Sequence, residues 1–438
     1  AVVKLGPASV IQREYQAFTD FIERRAPKVA RIDGEPVYTV DGRYGGLRYP
    51  VAGDGLFQID SLKTFAQEAD VEDVLYVLEQ QLFPSLSVLW ENNQIFPELP
   101  LRQCFDAILP VNLVLEWATN LLHPVDLYPD AIPERPYPVG TGIRLSRFVV
   151  TEIDHEHAEL TLDCPSHQTN GLMGGYRLRV AAVPDVAVYQ VGYNIPQPIT
   201  GIVRQTRTTL LQAQVNRLID EAANETSHTI WLPGLGRVLN PVVAVDTILN
   251  QTADLRIGTI HGDLSLENIL VEYDQHSHSI HLIDFANARQ DCVLHDLLRL
   301  ETSFWLYLVP PALAQAGSML GDLSGLLQTV RGLATTAMPI TGLERSINVL
   351  QVVRRMAGRL LTTHHAWETY EQALTLYLLG ALKFSNLDTL PTVPLPKPSF
   401  AAMCLRGWPC LSCASPACPR PARRTQPAAS MPSSPHGR

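Results

Sequence analysis

The stretch TIHGDLSLENILVEYDQHSHSIHLIDFANA, Thr259 to Ala288, decides how this chain reads. It sets His261, Asp263 and Asn268 on one short loop, then returns through the apolar run SIHLI to Asp284. Polar groups gathered at the ends of two strands describe a site, and the charges say which kind. A transferring phosphoryl group with its nucleotide phosphates is strongly negative. Its site must supply metal ions, a cation on the phosphates, and a carboxylate to orient or deprotonate the acceptor.

The spacing His-x-Asp-x-x-x-x-Asn meets these needs from one loop. Asp263 would face the acceptor hydroxyl, and Asn268 would offer its amide oxygen to Mg²⁺. Asp284, at the end of its strand, would hold the metal that bridges the phosphates. His261 reads as a residue that packs and hydrogen-bonds the loop, not as a proton carrier. The bland alternative is that Asp263, Asn268 and Asp284 serve structure alone. His276, His278 and His281 invite a zinc site, but DQHSHSIHL reads as a turn entering a strand, with at most His276 and His278 sharing a face. DHEHAEL, from Asp154, reads as a polar hairpin tip, and Glu267, inside the loop, as a substrate contact or, in the blander reading, a solvated side chain.

The 438 residues suffice for two or three domains with a large core, and 46% hydrophobic with 18% charged residues is a globular composition. The net charge of -10 conceals an asymmetry. After Asp388 there is no acidic residue, while Lys397, Arg406, Arg420, Arg423, Arg424 and Arg438 are basic. The body before them is left with 28 basic against 44 acidic residues, about -16, which argues against nucleic acid as a main partner. AVVKLGPASV lacks the basic start and apolar core of a secretory signal, and FWLYLVPPALA is short and broken by Pro310 and Pro311. A cytoplasmic protein without a membrane segment is expected. Cys104, Cys164 and Cys292 are too scattered for a disulfide framework. From Pro391 onward, 11 of the 33 prolines and Cys404, Cys410, Cys413 and Cys418 occur without periodicity. Cys410 and Cys413 could form half a zinc site, but no second half follows, and the segment 389–438 reads as a disordered tail.

Along the body, Val2 and Val3 lead into a short strand, and SVIQREYQAFTDFIERRA into a helix with Ser9 as its cap. PVYTVDGRYGGLRY reads as two strands around an Asp41-Gly42 turn. Helices are expected from Ile59 to about Asn93 and from Leu101 to Leu122. Between Gly142 and Arg207 the period changes to short alternating strands, VAVYQVGY among them, which suggests a small antiparallel barrel or sheet. Helices return at about Leu210–Glu225, NPVVAVDTILNQ, Leu294–Tyr307, Ser318–Ala334, Gly342–Leu361 and Trp367–Ser385. The fold class is α+β, with a mixed small part, an all-β insertion and a helical large part.

HGDLSLENILV followed by LIDFANA resembles the catalytic loop and metal-binding strand of the aminoglycoside phosphotransferase and choline kinase relatives of the protein kinases. HDLLRLE puts Asp296 where that superfamily often has a buried supporting aspartate. The whole order, with its β insertion and LRLETSFW, is most similar to the phosphotransferase-like ternary complex associated domain of bacterial conflict and signalling systems. The resemblance covers about residues 1–388 and is strongest over 259–301. It implies a protein-kinase-like two-lobed fold with a truncated small lobe, a helical large lobe and an inserted small antiparallel β domain. The implied divisions are a small lobe at 1–57, helices at 58–135, the β insertion at 136–208, the large lobe at 209–388 and the tail. Lys4 then matches the strand lysine on the nucleotide phosphates, Glu14 its ion-pair partner, and LRYPVAGDG the hinge over which adenine binds. Two departures stand out. No Gly-rich phosphate loop precedes Lys4 in this sequence, and the metal motif is Asp-Phe-Ala where Asp-Phe-Gly is common.

Two functions follow as expectations. One is an ATP- and Mg²⁺-dependent phosphotransferase acting on a hydroxyl of a small molecule or protein. The other is an inactive kinase-like module that binds protein partners, through the β insertion, in a signalling or conflict-system assembly. No Gly-x-Ser-x-Gly elbow supports a hydrolase, and GLGR near Gly234 is no phosphate cradle.

Overall fold

A computed structural model describes residues 2–383, apart from 51–56, 92, 130–136, 165–174, 219–227, 233–235, 275–276, 316–325, 327–328, 331–341 and 364–365. The expected tail, the Cys410–Cys413 pair, Gly234, His276 and most of the helix expected at Ser318–Ala334 lie outside the described residues.

The chain is mixed α+β with several separate sheets. It starts with a strand, Val2–Pro7, paired antiparallel to Tyr44–Tyr49, which also pairs with Val37–Tyr38. Gly42 closes the intervening turn with a positive φ of 68°, the conformation glycine adopts without steric cost. The helix Ala8–Ala17 packs on this sheet, and Ile11, Leu47 and Tyr49 form a small core between them. Ser9 does not cap that helix. Pro7 holds the N-cap position at φ −53°, so the helix begins one residue before Ser9 and takes it in.

Ile59 is likewise not helical. Gln58–Ser61 is a strand paired with Leu270–Tyr273, and the Ser61 hydroxyl accepts from Thr64 N–H, starting the helix Leu62–Glu68. Helical turns then run through Val71–Tyr76, the wider π-turn Val77–Leu82, and Phe83–Trp90.

The helix expected at Leu101–Leu122 ends early. Leu101–Phe105 is helical and Asp106–Ile108 is a tighter turn, but Leu109 precedes Pro110 and is forced into extended backbone, φ −79° and ψ 166°. Leu113–Trp117 then becomes a strand, with Leu113 and Leu115 buried on one face. That strand sits in the middle of a seven-stranded sheet. The order is Val125–Leu127, Gly142–Leu145, Ile199–Thr206, Leu113–Trp117, Leu178–Ala181, Glu159–Asp163 and Val149–Asp154. The expectation of an antiparallel set needs correction. Leu178–Ala181 runs parallel to Leu113–Trp117, and Val125–Leu127 parallel to Gly142–Leu145; in each pair one strand, Leu113–Trp117 or Val125–Leu127, enters from outside the expected stretch. Alternate residues Ile143 and Leu145, Leu160 and Leu162, and Leu178 and Val180 fill its core. VAVYQVGY is not a strand: Asp185 accepts from Ala187 N–H at 3.0 Å and caps a tight turn, Val186–Val188.

Two more three-stranded sheets carry the decisive stretch. Thr252–Ile260 lies between Gln94–Pro100 and Arg289–Cys292, while Ile269–Tyr273 lies between Gln58–Ser61 and His278–Leu282. The helix Leu294–Tyr307 follows and packs against Glu344–Leu360 and Trp367–Ala381. Inside this helical layer, buried Glu301 accepts from Arg354 at 2.8 Å and Tyr370 at 2.5 Å, and Arg354 reaches Glu371 at 2.6 Å. No helix among the described residues is long and apolar enough to cross a membrane.

Candidate functional site

The strand Thr252–Ile260 delivers the chain to His261, which is fully buried. Its Nε2 lies 2.9 Å from the Ile283 carbonyl, so Nε2–H donates, and Nδ1 is left to accept from Asp263 N–H at 3.4 Å. Nε2 thereby ties the loop to the residue before Asp284, while Nδ1 braces the loop from within. Below the loop, buried Asp296 accepts from His261 N–H at 3.0 Å, Gly262 N–H at 2.9 Å and Trp90 Nε1–H at 3.1 Å. A carboxylate can be buried only where such donors replace its water, and Asp296 also lies in the first helical turn, where the helix dipole favours negative charge. Gly262 has φ 81°, and a Cβ there would fall 2.1 Å from the Asn287 carbonyl oxygen. The loop can approach the segment after Asp284 only with glycine at this point.

Asp263 points its carboxylate outward, about one third exposed, and accepts from Arg299 Nε at 2.7 Å. Asn268 donates its amide N–H to the Asp263 carbonyl at 2.9 Å, and the same nitrogen lies 3.4 Å from Asp263 Oδ2. Ile283 N–H donates to the Asn268 carbonyl at 3.1 Å, which fixes Asn268 beside the segment leading to Asp284. Asp284 itself has φ 63°, a left-handed backbone uncommon for residues with a side chain. Its Oδ1 lies 3.0 Å from Lys4 Nζ, and Lys4 in turn lies 2.6 Å from Oε2 of fully buried Glu14. Tyr49 donates its hydroxyl to Glu14 Oε1 at 2.6 Å. Partial burial works to lower the Lys4 pKa, but hydrogen bonds to Glu14 and Asp284 outweigh it and hold the ammonium above its usual value. Burial, then Glu14, pushes the Tyr49 phenol far above its usual range, so it stays a donor.

The structure therefore brings Asp263, Asn268 and Asp284 to one edge, joins Lys4 and Glu14 to Asp284, and sets His261 and Asp296 beneath. Of LRYPVAGDG only Leu47–Pro50 are described, so the adenine hinge expected there falls mostly outside. His278 packs among Phe65, Tyr76 and Tyr273, and His281 pairs with Glu272 at 2.8 Å; each has a local partner. Sequence reasoning missed Arg299, Tyr49 and Trp90. Arg299 lies within HDLLRLE, three residues beyond Asp296, a spacing that places both on one side of a helix.

Beside Asp263 opens a cavity of about 280 Å³. Gly262, Asp263, Arg289, Arg299, Tyr377 and Lys383 are among its walls.

The oxygen atoms available from Asn268 and Asp284 are ligands of the type Mg²⁺ takes, and Asn268, with its N–H spent on Asp263, keeps its amide oxygen for that purpose. Among the described residues no group of three or more His, Cys, Asp or Glu could hold a metal. A Mg²⁺ ion at this edge would need phosphate and water oxygens to complete its shell, which is its ordinary habit.

A family model described as ternary complex associated domain 9 matches residues 1–383. No curated protein matches the chain.

Proposed function

Given that the chain belongs to the ternary complex associated domain 9 family, we propose that it is a kinase-like, ATP-dependent phosphotransferase that moves the γ-phosphoryl group to a hydroxyl. The observation that carries this reading is the chain of contacts from Glu14 through Lys4 to Asp284, beside Asp263 and Asn268. A cation held by a buried carboxylate is a phosphate-binding group with its position set in advance, since Glu14 keeps Lys4 in place when Asp284 turns to other ligands. In this reading residues 1–57 form a small lobe and the helices after Leu294 the bulk of a large one.

In the reaction, the acceptor oxygen attacks the γ-phosphorus while its proton passes to Asp263. The bond from phosphorus to the β,γ-bridging oxygen breaks, and ADP leaves with that electron pair. Asn268 and Arg299 orient the Asp263 carboxylate. Lys4 holds the phosphates, and Asn268 with Asp284 would hold Mg²⁺. When bound, the metal supplies charge neutralisation across the phosphates.

The test is the thermal stability of the chain with and without Mg-ATP, repeated in Asp284→Ala. Nucleotide at about a hundred times its dissociation constant adds about 2.7 kcal/mol, a shift of a few degrees. A shift that needs both Mg²⁺ and Asp284, with ADP formed by the wild type but not by Asp263→Ala, supports the enzyme. Absence of any shift removes it.

The family description favours a second reading, a non-catalytic module within a multi-protein assembly. The Lys4–Asp284 pair would then be a structural bond. Partner binding unchanged by Asp284→Ala would support that alternative.

A further inference from the structure

The cavity beside Asp263 has a charge pattern of its own. Arg289, Arg299 and Lys383 contribute to its wall, and Asp263 is the one carboxylate among the lining residues. Arg289 is fixed from behind: its Nε and Nη2 reach the buried Asp291 carboxylate at 2.9 and 2.8 Å, and Nη1 donates to the Asn287 carbonyl at 2.9 Å. Arg299 is fixed by Asp263. Lys383 is an exposed residue, yet its pKa is lowered, first by the loss of water around its ammonium and then by Arg177 and Arg299. Crowding of cations is unfavourable, and an anion seated among them relieves it. The rest of the wall mixes apolar Ala107, Ile108 and Ala381 with polar Asn287, His295 and Tyr377, and the volume suits a metabolite rather than a polymer segment.

We propose that this cavity binds a small hydroxyl compound carrying a carboxylate or phosphate group, with Arg289, Arg299 and Lys383 on the anion and the hydroxyl directed to Asp263. The assignment of that compound as the acceptor rests on the phosphotransferase reading; the anion site does not. A cationic acceptor is disfavoured by the same wall, because Arg289, Arg299 and Lys383 line the cavity and Asp263 is the one carboxylate among the lining residues, although Asp291 behind Arg289 offsets part of that charge.

Inorganic phosphate titrated against the full chain without nucleotide, and followed by thermal stability, is the first probe. A saturable rise is expected in the wild type and in Asp284→Ala. The apparent affinity should fall about tenfold or more in Arg289→Gln and in Lys383→Met, with recovery in Lys383→Arg. Recovery by arginine separates lost charge from lost folding. No rise in the wild type, or an equal rise in Lys383→Met, overturns the site. A second arm supplies Mg-ATP and measures ADP formed with glycerate, glycerol 3-phosphate, glycerol or choline. Stimulation by glycerate or glycerol 3-phosphate above that by glycerol supports the proposal and tells carboxylate from phosphate. Stimulation greatest with choline overturns it. If Mg-ATP neither stabilises the chain nor yields ADP while phosphate binding still depends on Lys383, the phosphotransferase reading falls and the anion site stands.

Discussion

Lys4 Nζ lies 3.0 Å from Asp284 Oδ1, so the first strand of the chain and the segment after the strand His278–Leu282 share one ion pair. Both side chains are about one third exposed, and in such surroundings the bond adds little to stability. Its importance is positional. It sets a cation held by Glu14 beside the carboxylate assigned to the metal.

Replacing Asp284 by glycine separates that role from the fold. Asp284 holds φ 63°, which glycine adopts freely, so Asp284→Gly should lose no more than about 1 kcal/mol in denaturant unfolding. The stabilisation by Mg-ATP should vanish in the same protein. A large fall in unfolding free energy would show that the Lys4 contact matters more to folding than its exposure implies.

Lys4 also sets a sign for the response to alkali. Its folded pKa lies above the ordinary value of 10.5, so its ion pairs contribute fully below that value and are lost as pH rises through the higher folded one. The difference in melting temperature between wild type and Lys4→Met should therefore be constant near neutrality and shrink at strongly alkaline pH. A difference that widens there would contradict the raised pKa.

Asp296→Ala strands three donors, from His261, Gly262 and Trp90, in a buried place. Each unsatisfied group costs about 1–3 kcal/mol, so a loss of at least about 3 kcal/mol is expected by equilibrium unfolding. Asp296→Asn, which keeps an acceptor oxygen, should lose less.

Gly262→Ala faces both a positive φ of 81° and a carbonyl oxygen 2.1 Å from the new methyl group. Backbone strain and overpacking together predict a loss above about 3 kcal/mol. Unchanged stability would mean that the Asn287 segment yields easily, which amide hydrogen exchange would show as fast exchange around Asn287.

Asp263→Asn removes the assigned base but keeps an oxygen for Arg299. Phosphoryl transfer should fall by a factor of about 10²–10⁴, with nucleotide-dependent stabilisation intact. Equal activity in the variant would exclude Asp263 as the proton acceptor.

The sequence made much of the decisive edge legible because its parts lie close along the chain. His261, Asp263, Asn268 and Asp284 fall on two neighbouring strand ends, and the Leu294–Tyr307 helix has its full apolar pattern. Arg299 and Tyr49 were not legible, since an arginine on a helix and a tyrosine on a strand gain meaning only from the carboxylates opposite them in space. The strand Leu113–Trp117 was hidden for another reason. Its leucines continue the apolar pattern of the preceding helix, and what stops that helix is the single backbone restriction imposed by Pro110 on Leu109. Parallel pairing of Leu178–Ala181 with that strand could not be foreseen while it was read as helix.

The turn Asp106–Ile108 also closes the entrance to the seven-stranded sheet. Arg207, at the residue following the strand Ile199–Thr206, reaches both oxygens of buried Asp106 at 2.6 and 2.8 Å. Asp106 comes shortly before the strand Leu113–Trp117, so the chain goes into the seven-stranded sheet and comes out of it through one buried knot. The two ends of the sheet therefore meet, and its strands are entered and left without crossing those that lead to Asp263 and Asp284.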